Sequence, residues 1–243
     1  MDRIVVDRKV ELGKEVLVNG PPREALRFQG GGVGSLVTLT DAEGKDFRGR
    51  VLRLSETEAS ILIFDSFPSS TESPLEIVLL QGLPEKERME MIIQKATELG
   101  VSAILPFESE RSISLREREG KQKKAHRWQF IALKAVQQSR RAKVPYIGEC
   151  RPLREVLEGW NDDGLRILLW EKNGRHLQSV LRQHPTQKIY AMVGPEGGFT
   201  EGEVEQAREK RFIPVKLGQR ILRTETAAIT LIGILQYELG DLR

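Results

Sequence analysis

Two short stretches near the C-terminal end hold residue types that chemistry can use. The first, Val193-Gly194-Pro195-Glu196-Gly197-Gly198-Phe199-Thr200, combines three glycines, one carboxylate and a threonine followed three residues later by Glu203. Glycine permits dihedrals and close approaches that a side chain forbids. The Thr-x-x-Glu spacing is a capping box, which fixes where the loop ends and a helix begins. The second stretch, residues 217–226, runs Leu-Gly-Gln-Arg-Ile-Leu-Arg-Thr-Glu-Thr. There Thr224 can cap the last helix, with Glu225 at its positive end. Either stretch alone reads better as an ordinary turn. Together, leaving the neighbouring ends of two strands at 188–193 and 213–217, they predict a ligand crevice. Open α/β sheets bind ligands outside the carboxyl ends of their strands.

Other chemistries lack their residues. No Gly-x-x-x-x-Gly-Lys-Ser/Thr phosphate loop and no Gly-x-Ser-x-Gly elbow occurs. The run Gly30-Gly31-Gly32-Val33-Gly34 precedes a strand pattern, so it is no dinucleotide fingerprint. His126, His176 and His184 have no metal-ligand spacing, and no metal is expected. A single cysteine, Cys150, excludes an intrachain disulfide framework and fits a reducing compartment.

Charge is concentrated. Residues 111–145 hold eleven basic side chains, among them Arg111, Lys123, Lys124, Arg127, Arg140 and Arg141, against only Glu117 and Glu119. That stretch is +9 in a chain of net +3, which leaves −6 elsewhere. Such a stretch suits a polyphosphate partner, because neutralising phosphates releases counterions; a solvated helix face with a loop is the alternative. The first residues are charged, without the apolar core of a signal peptide, and the longest apolar run is too short to span a bilayer. A cytoplasmic protein with no membrane partner is expected.

The elements that must position these residues follow from the pattern. Residues 4–6, 15–18, 35–40, 47–54 and 60–64 read as short strands of a small β-barrel, with a short helix near 23–28. Residues 66–74 have a linker's Ser/Pro composition. Two domains are expected, 1–70 and 75–243. In the second, a strand at 75–81 precedes a helix opened by Pro84 and closed by Gly100, with Met89, Ile92, Ile93, Ala96 and Leu99 along one stripe. Strands at 101–107, 146–148, 166–170, 188–193 and 213–217 alternate with helices at 122–141, 153–159, 177–183, 201–210 and 225–239. Alternation predicts an α/β fold, a mostly parallel sheet with helices on both faces. The last helix is apolar nearly all round, so both of its faces are expected to be buried, within the subunit or in a symmetric dimer.

The two loops, residues 194–200 and 217–227, resemble the C-terminal signatures of the RsmE methyltransferases. So do Arg88-Met89-Glu90, residues 94–101 (Gln-Lys-Ala-Thr-Glu-Leu-Gly-Val), Ser109-Glu110-Arg111-Ser112, Gln138-Ser139-Arg140-Arg141 and Val144-Pro145. The resemblance covers most of 75–241. Lys210-Arg211-Phe212 departs from it, where Gly-Phe is more typical. Members belong to the SPOUT superfamily and methylate N3 of a uridine in 16S ribosomal RNA of the small ribosomal subunit. The resemblance therefore implies a trefoil-knotted domain, a homodimer, an N-terminal PUA-like RNA-binding barrel and S-adenosylmethionine as cofactor. By the same resemblance Gly194, Glu196, Gly197, Gly198, Leu217, Gly218, Ile221, Leu222, Thr226 and Ala227 hold the cofactor. Arg111, Lys123, Lys124, Arg127, Arg140 and Arg141 are expected to contact RNA.

The implied reaction sets its own demands. Uridine N3 carries a proton, so either a base removes it or cations stabilise charge on the flanking carbonyl oxygens. Glu196, Glu225 and Glu98 are candidate bases; Arg111, Arg140, Arg223 and Lys95 are candidate stabilisers. Two alternatives stay open: ribose 2′-O methylation, and a non-catalytic ribosome-assembly factor built on the barrel and the basic stretch.

Overall fold

Alternating burial builds the first part of the chain. In the computed structural model, which describes residues 3–28, 31–43, 45–67, 72–112, 125–139, 141, 143–158 and 163–243, the chain divides into two units. One comprises Met1–Glu72 with Arg140–Lys143, the other Ser73–Ser139 with Val144–Arg243. The first unit contains β1 (Arg3–Val5), β2 (Glu15–Asn19), α1 (Gly20–Phe28), β3 (Leu36–Thr40), β4 (Asp46–Leu54) and β5 (Glu58–Ser66). They form a five-stranded curled sheet in the order β1-β3-β4-β5-β2, antiparallel except for β1 against β3. On β2, Val16 and Val18 point inward while their neighbours are exposed, the period-2 signature of a one-sided sheet. They meet Leu26, Val37, Leu39, Val51, Ile61 and Ile63 in one core. The expected linker begins later than its composition suggests, since Ser66 still pairs in β5; residues 68–71 lie outside the described ones.

The second unit runs β6 (Glu76–Gly82), α2 (Lys86–Glu98), β7 (Ala103–Glu108), α3 (Ala125–Ser139), β8 (Tyr146–Ile147), β9 (Arg151–Pro152), α4 (Leu153–Val156), β10 (Leu165–Leu169), β11 (Arg175–His176), α5 (Leu177–Gln183), β12 (Lys188–Val193), α6 (Glu201–Glu209), β13 (Ile213–Lys216) and α7 (Thr224–Leu239). Its sheet has the order β11-β13-β10-β12-β6-β7-β8, with β9 also on β7, and every pairing is parallel. Alternate residues of β6 enter different cores. Ile77 and Leu79 pack with Met89, Ile92, Ile93, Leu231 and Ile232 on one face. Val78 and Leu80 pack with Phe107, Met192, Phe199 and Val204 on the other. Helices therefore cover both faces, and fully burying each of these large side chains contributes about 1.5–3 kcal/mol.

Several expectations are corrected. Pro84 precedes α2, whose N-cap is Glu85. The two-residue strands β9 and β11 carry too little pattern to be seen in advance. The strands β12 and β13 are not neighbours: β10 lies between them. Thr224 is not the cap of α7; Arg223 occupies that position. One face of α7 is fully buried through Ala228, Leu231, Ile232, Leu235 and Gln236, whereas Tyr237 is 62% exposed. Among the described residues no helix is long and apolar enough to cross a membrane.

Candidate functional site

The carboxyl ends of β10, β12 and β13 surround a cavity of about 340 Å³. The first glycine-bearing loop forms one wall. A turn bonds the Gly198 amide to the Pro195 carbonyl at 3.0 Å, and Gly198 has a φ of 66°, a conformation that favours glycine. At the end of β6, a Cβ on Gly82 would lie 2.6 Å from Pro195, so the loop can press against this strand only because Gly82 has no side chain. Arg111 donates to the Gly197 carbonyl at 3.0 Å and holds the loop from outside. Phe199 stacks on Phe107 at 6.1 Å between ring centres. The capping box is complete: the Glu203 amide donates to the Thr200 hydroxyl at 3.2 Å, and the Thr200 amide to the Glu203 carboxylate at 2.8 Å.

The second loop is tied to the first by buried side chains. The Thr224 hydroxyl donates to the Gly194 carbonyl at 2.6 Å, which is why it is unavailable as a helix cap. The Gln81 amide, completely buried, donates to the Thr224 hydroxyl at 3.0 Å and to the Gly82 carbonyl at 2.9 Å. One glutamine at the end of β6 thus joins both loops. Ile221 stands 86% exposed on the rim of the cavity.

A charged cluster adjoins the cavity. Arg88, from α2, lies 3.5 Å from both Glu85 and Glu196 and 3.8 Å from Glu225. Glu196 also accepts from the Glu85 amide at 2.8 Å. Glu225 Oε2 is buried without a hydrogen-bond partner, 3.8 Å from Arg88 being its nearest ion-pair contact.

The structure gathers most of the residues expected around a ligand. Gly194, Glu196, Gly197, Gly198, Leu217, Gly218, Ile221, Leu222, Arg223 and Ala227 all line the cavity. Thr226 does not: Thr224 and Ala227, three apart on α7, face the cavity, and the helical period turns Thr226 to solvent. Lys95 and Glu98 pair with each other at 2.9 Å on α2 and are absent from the cavity wall. Of the basic stretch, Arg127 is half exposed and pairs with Glu90 at 2.8 Å. Arg141 is corrected as a surface contact: its side chain is 5% exposed and bound to Glu72 at 2.6 Å, so its charge is neutralised inside the first unit. Lys123, Lys124 and Arg140 lie outside the described residues.

The sequence does not mark several residues of the site, Lys216 on the cavity wall among them. Trp170 and Glu171 line the cavity because β10 lies between the two loop-bearing strands, which the order along the chain does not reveal. Arg88 reaches the wall from α2. Gln81 left a usable signal, as a polar residue at the end of an otherwise apolar strand.

Comparison with known proteins agrees with this geometry. Residues 71–236 match the RNA methyltransferase domain family. The chain is 30% identical over 216 residues to the ribosomal RNA small subunit methyltransferase E of Bacillus subtilis (strain 168), covering 86% of this chain and 84% of that protein. It is 32% identical over 194 residues to the Aquifex aeolicus (strain VF5) protein of the same name, covering 79% and 82%. The chain belongs to the ribosomal RNA small subunit methyltransferase E family. A solved member of that family from Neisseria gonorrhoeae, bound to S-adenosyl methionine, superposes with a TM-score of 0.74 at 34% identity, covering 100% of both chains. Both the parallel sheet with its helices and the separate curled sheet of this chain are those of the methyltransferase E fold.

Proposed function

We infer that this protein transfers a methyl group from S-adenosylmethionine to RNA of the small ribosomal subunit, at N3 of a uridine. The observation that carries this reading is the cavity itself: two loops from different strands, locked together by Gln81 and Thr224, on a chain that aligns end to end with a methyltransferase E bound to that cofactor.

The residues fit the cofactor. A cavity of about 340 Å³ falls within the size range of small-molecule pockets. Its wall includes Trp170, whose indole N–H is buried without an acceptor and is available to a polar ligand atom. Gly194, Gly198 and Gly218 expose backbone to a flat ring, and Leu217, Leu222 and Ala227 supply apolar contact. Glu196 adds negative charge where a cationic ligand is to be held. When bound, S-adenosylmethionine supplies a methyl carbon activated by a positively charged sulfur.

The chain's own residues then have to orient the uridine and take its proton. Of the two carboxylates on the cavity wall, Glu171 and Glu196, Glu196 is the one held by Arg88 and the Glu85 amide, and we assign it the N3 proton. Arg88 keeps that carboxylate oriented, since its guanidinium is shared among Glu85, Glu196 and Glu225. Arg223, exposed on the rim, faces negative charge spreading onto the uridine carbonyl oxygens as N3 loses its proton. Arg111, bound to the loop carbonyls, acts on the site by fixing the loop. The curled sheet of the first unit serves RNA binding as a PUA-like domain, and the trefoil crossing and the homodimer implied by the resemblance belong to the same reading. Tyr237, exposed on α7 beside the partly buried Ile234, supports a second copy packing there.

Two measurements test this. Calorimetric titration with S-adenosylmethionine is expected to give saturable binding; its absence would favour the non-catalytic assembly factor. Glu196→Gln is expected to lower kcat about 10²–10⁴-fold, the usual contribution of a positioned base, with cofactor affinity changed less than about fivefold. Full kcat in that variant would remove Glu196 from the role.

A further inference from the structure

The cofactor cavity occupies the carboxyl edge of the parallel sheet, and the opposite edge of the same sheet holds a second cavity with different chemistry. It lies at the amino ends of β10, β12 and β13 and has a volume of about 720 Å³. Three arginines, Arg166, Arg208 and Arg211, line it together with His184 and Thr186, against one lining carboxylate, Asp163. Arg166 is only 7% exposed; it donates to the Lys210 carbonyl at 2.9 Å, and its guanidinium lies 6.0 Å from the Tyr190 ring centre. That cation is built into the floor. Arg208, in the last turn of α6, is 44% exposed, lies 3.2 Å from Glu205 and sits over the Trp170 ring at 5.8 Å. Arg211 is exposed at the mouth.

Arg211 is a second, separate observation. Its φ is 67°, and among the described residues it is the only non-glycine residue with positive φ. It follows the C-cap of α6, where its own amide donates to the Arg208 carbonyl at 2.8 Å and the Phe212 amide to the Ala207 carbonyl at 3.0 Å. That helix end requires only backbone, and glycine forms it without the Cβ strain that an L-residue carries. Strained non-glycine residues concentrate where the side chain is used, and here the side chain joins two other arginines around a cavity.

We propose that this groove binds phosphate groups of the RNA backbone and gives the enzyme a second RNA contact on the sheet edge remote from methyl transfer. Guanidinium groups match phosphate oxygens with paired hydrogen bonds, and a fixed arginine flanked by two more exposed ones presents successive sites to a chain of phosphates. The strands between the two edges are four to six residues long, so the edges are on the order of 15–20 Å apart, a span that a folded RNA substrate covers. The proposal rests on the ribosomal RNA reading above.

The test uses the full-length protein, purified small ribosomal subunits and a series of salt concentrations. Arg211→Gly is expected to raise Tm by about 2–4 °C, because glycine relieves the strained φ. The same variant is expected to bind subunits about three- to tenfold more weakly near 0.1 M salt and to lower the slope of log K against log salt by about 1. Its S-adenosylmethionine affinity is expected to be unchanged, and Arg211→Lys is expected to recover most of the binding. A more stable Arg211→Gly protein with wild-type subunit affinity and salt slope overturns the groove proposal and leaves the methyltransferase reading standing. Tight, Arg211-dependent binding of inorganic pyrophosphate without any change in subunit binding overturns it in favour of a free polyphosphate. Wild-type protein that binds no ribosomal RNA overturns both readings, and the wild-type measurement alone identifies that case.

Discussion

Single residues in this site act through backbone as much as through charge. A Cβ built on Gly198 meets nothing within 4 Å, so there is open space beside it, and its φ of 66° is the left-handed conformation that favours glycine. Gly198→Ala should therefore cost about 1–2 kcal/mol of stability, the strain that an L-residue carries in this conformation, and lower Tm by about 2–4 °C for each kcal/mol. Thermal unfolding reads the change directly, and a wild-type Tm would mean that the loop tolerates another conformation. Gly197 works differently, since its Cβ would lie 2.8 Å from that of Arg111 and push away the clamp. The sequence flags both glycines alike, because composition records the missing side chain but not whether φ or space requires it. Gln81 was legible only as an anomaly: its importance comes from meeting Thr224, 143 residues away in the chain.

At the scale of elements, caps and strand order decide where the loops stand. The Thr200–Glu203 box fixes the start of α6 and could be read directly, because both partners lie within four residues. Thr200→Ala should cost about 0.5–2 kcal/mol and lower Tm by about 2–4 °C for each kcal/mol, checked by thermal unfolding. The start of α7 was misread by one residue for an instructive reason. The Thr224 hydroxyl, suited to capping, is instead bonded to the Gly194 carbonyl, a tertiary contact that local pattern does not contain. Long helices and central strands were legible from their period, with most ends correct to within two or three residues. The place of β10 between β12 and β13 was not, since pairing order is set by the path of the chain through three dimensions. Trp170 and Glu171 were lost from view with it.

At the scale of the whole molecule, charge and family likeness set the partner. The +9 stretch divides once folded: Arg111 supports the loop at 194–200, Arg127 pairs on α3, and Arg141 is buried with Glu72. A linear charge count could not separate these fates. Arg141→Ala should destabilise the first unit by about 3–5 kcal/mol, since it leaves the Glu72 carboxylate buried without this cation. Denaturant unfolding with signals assigned to that unit would measure it, and a stability unchanged within error would show that the pair is dispensable. The proposed reaction is transfer of a methyl group to N3 of a small-subunit uridine. Its most direct test is incubation of the protein with isotopically labelled S-adenosylmethionine and unmodified small subunits, followed by mass spectrometry of the nucleosides from the 16S RNA. Label is expected in 3-methyluridine at a single site; label in a 2′-O-methylated nucleoside, or none in the RNA while the cofactor binds, would rule this reaction out.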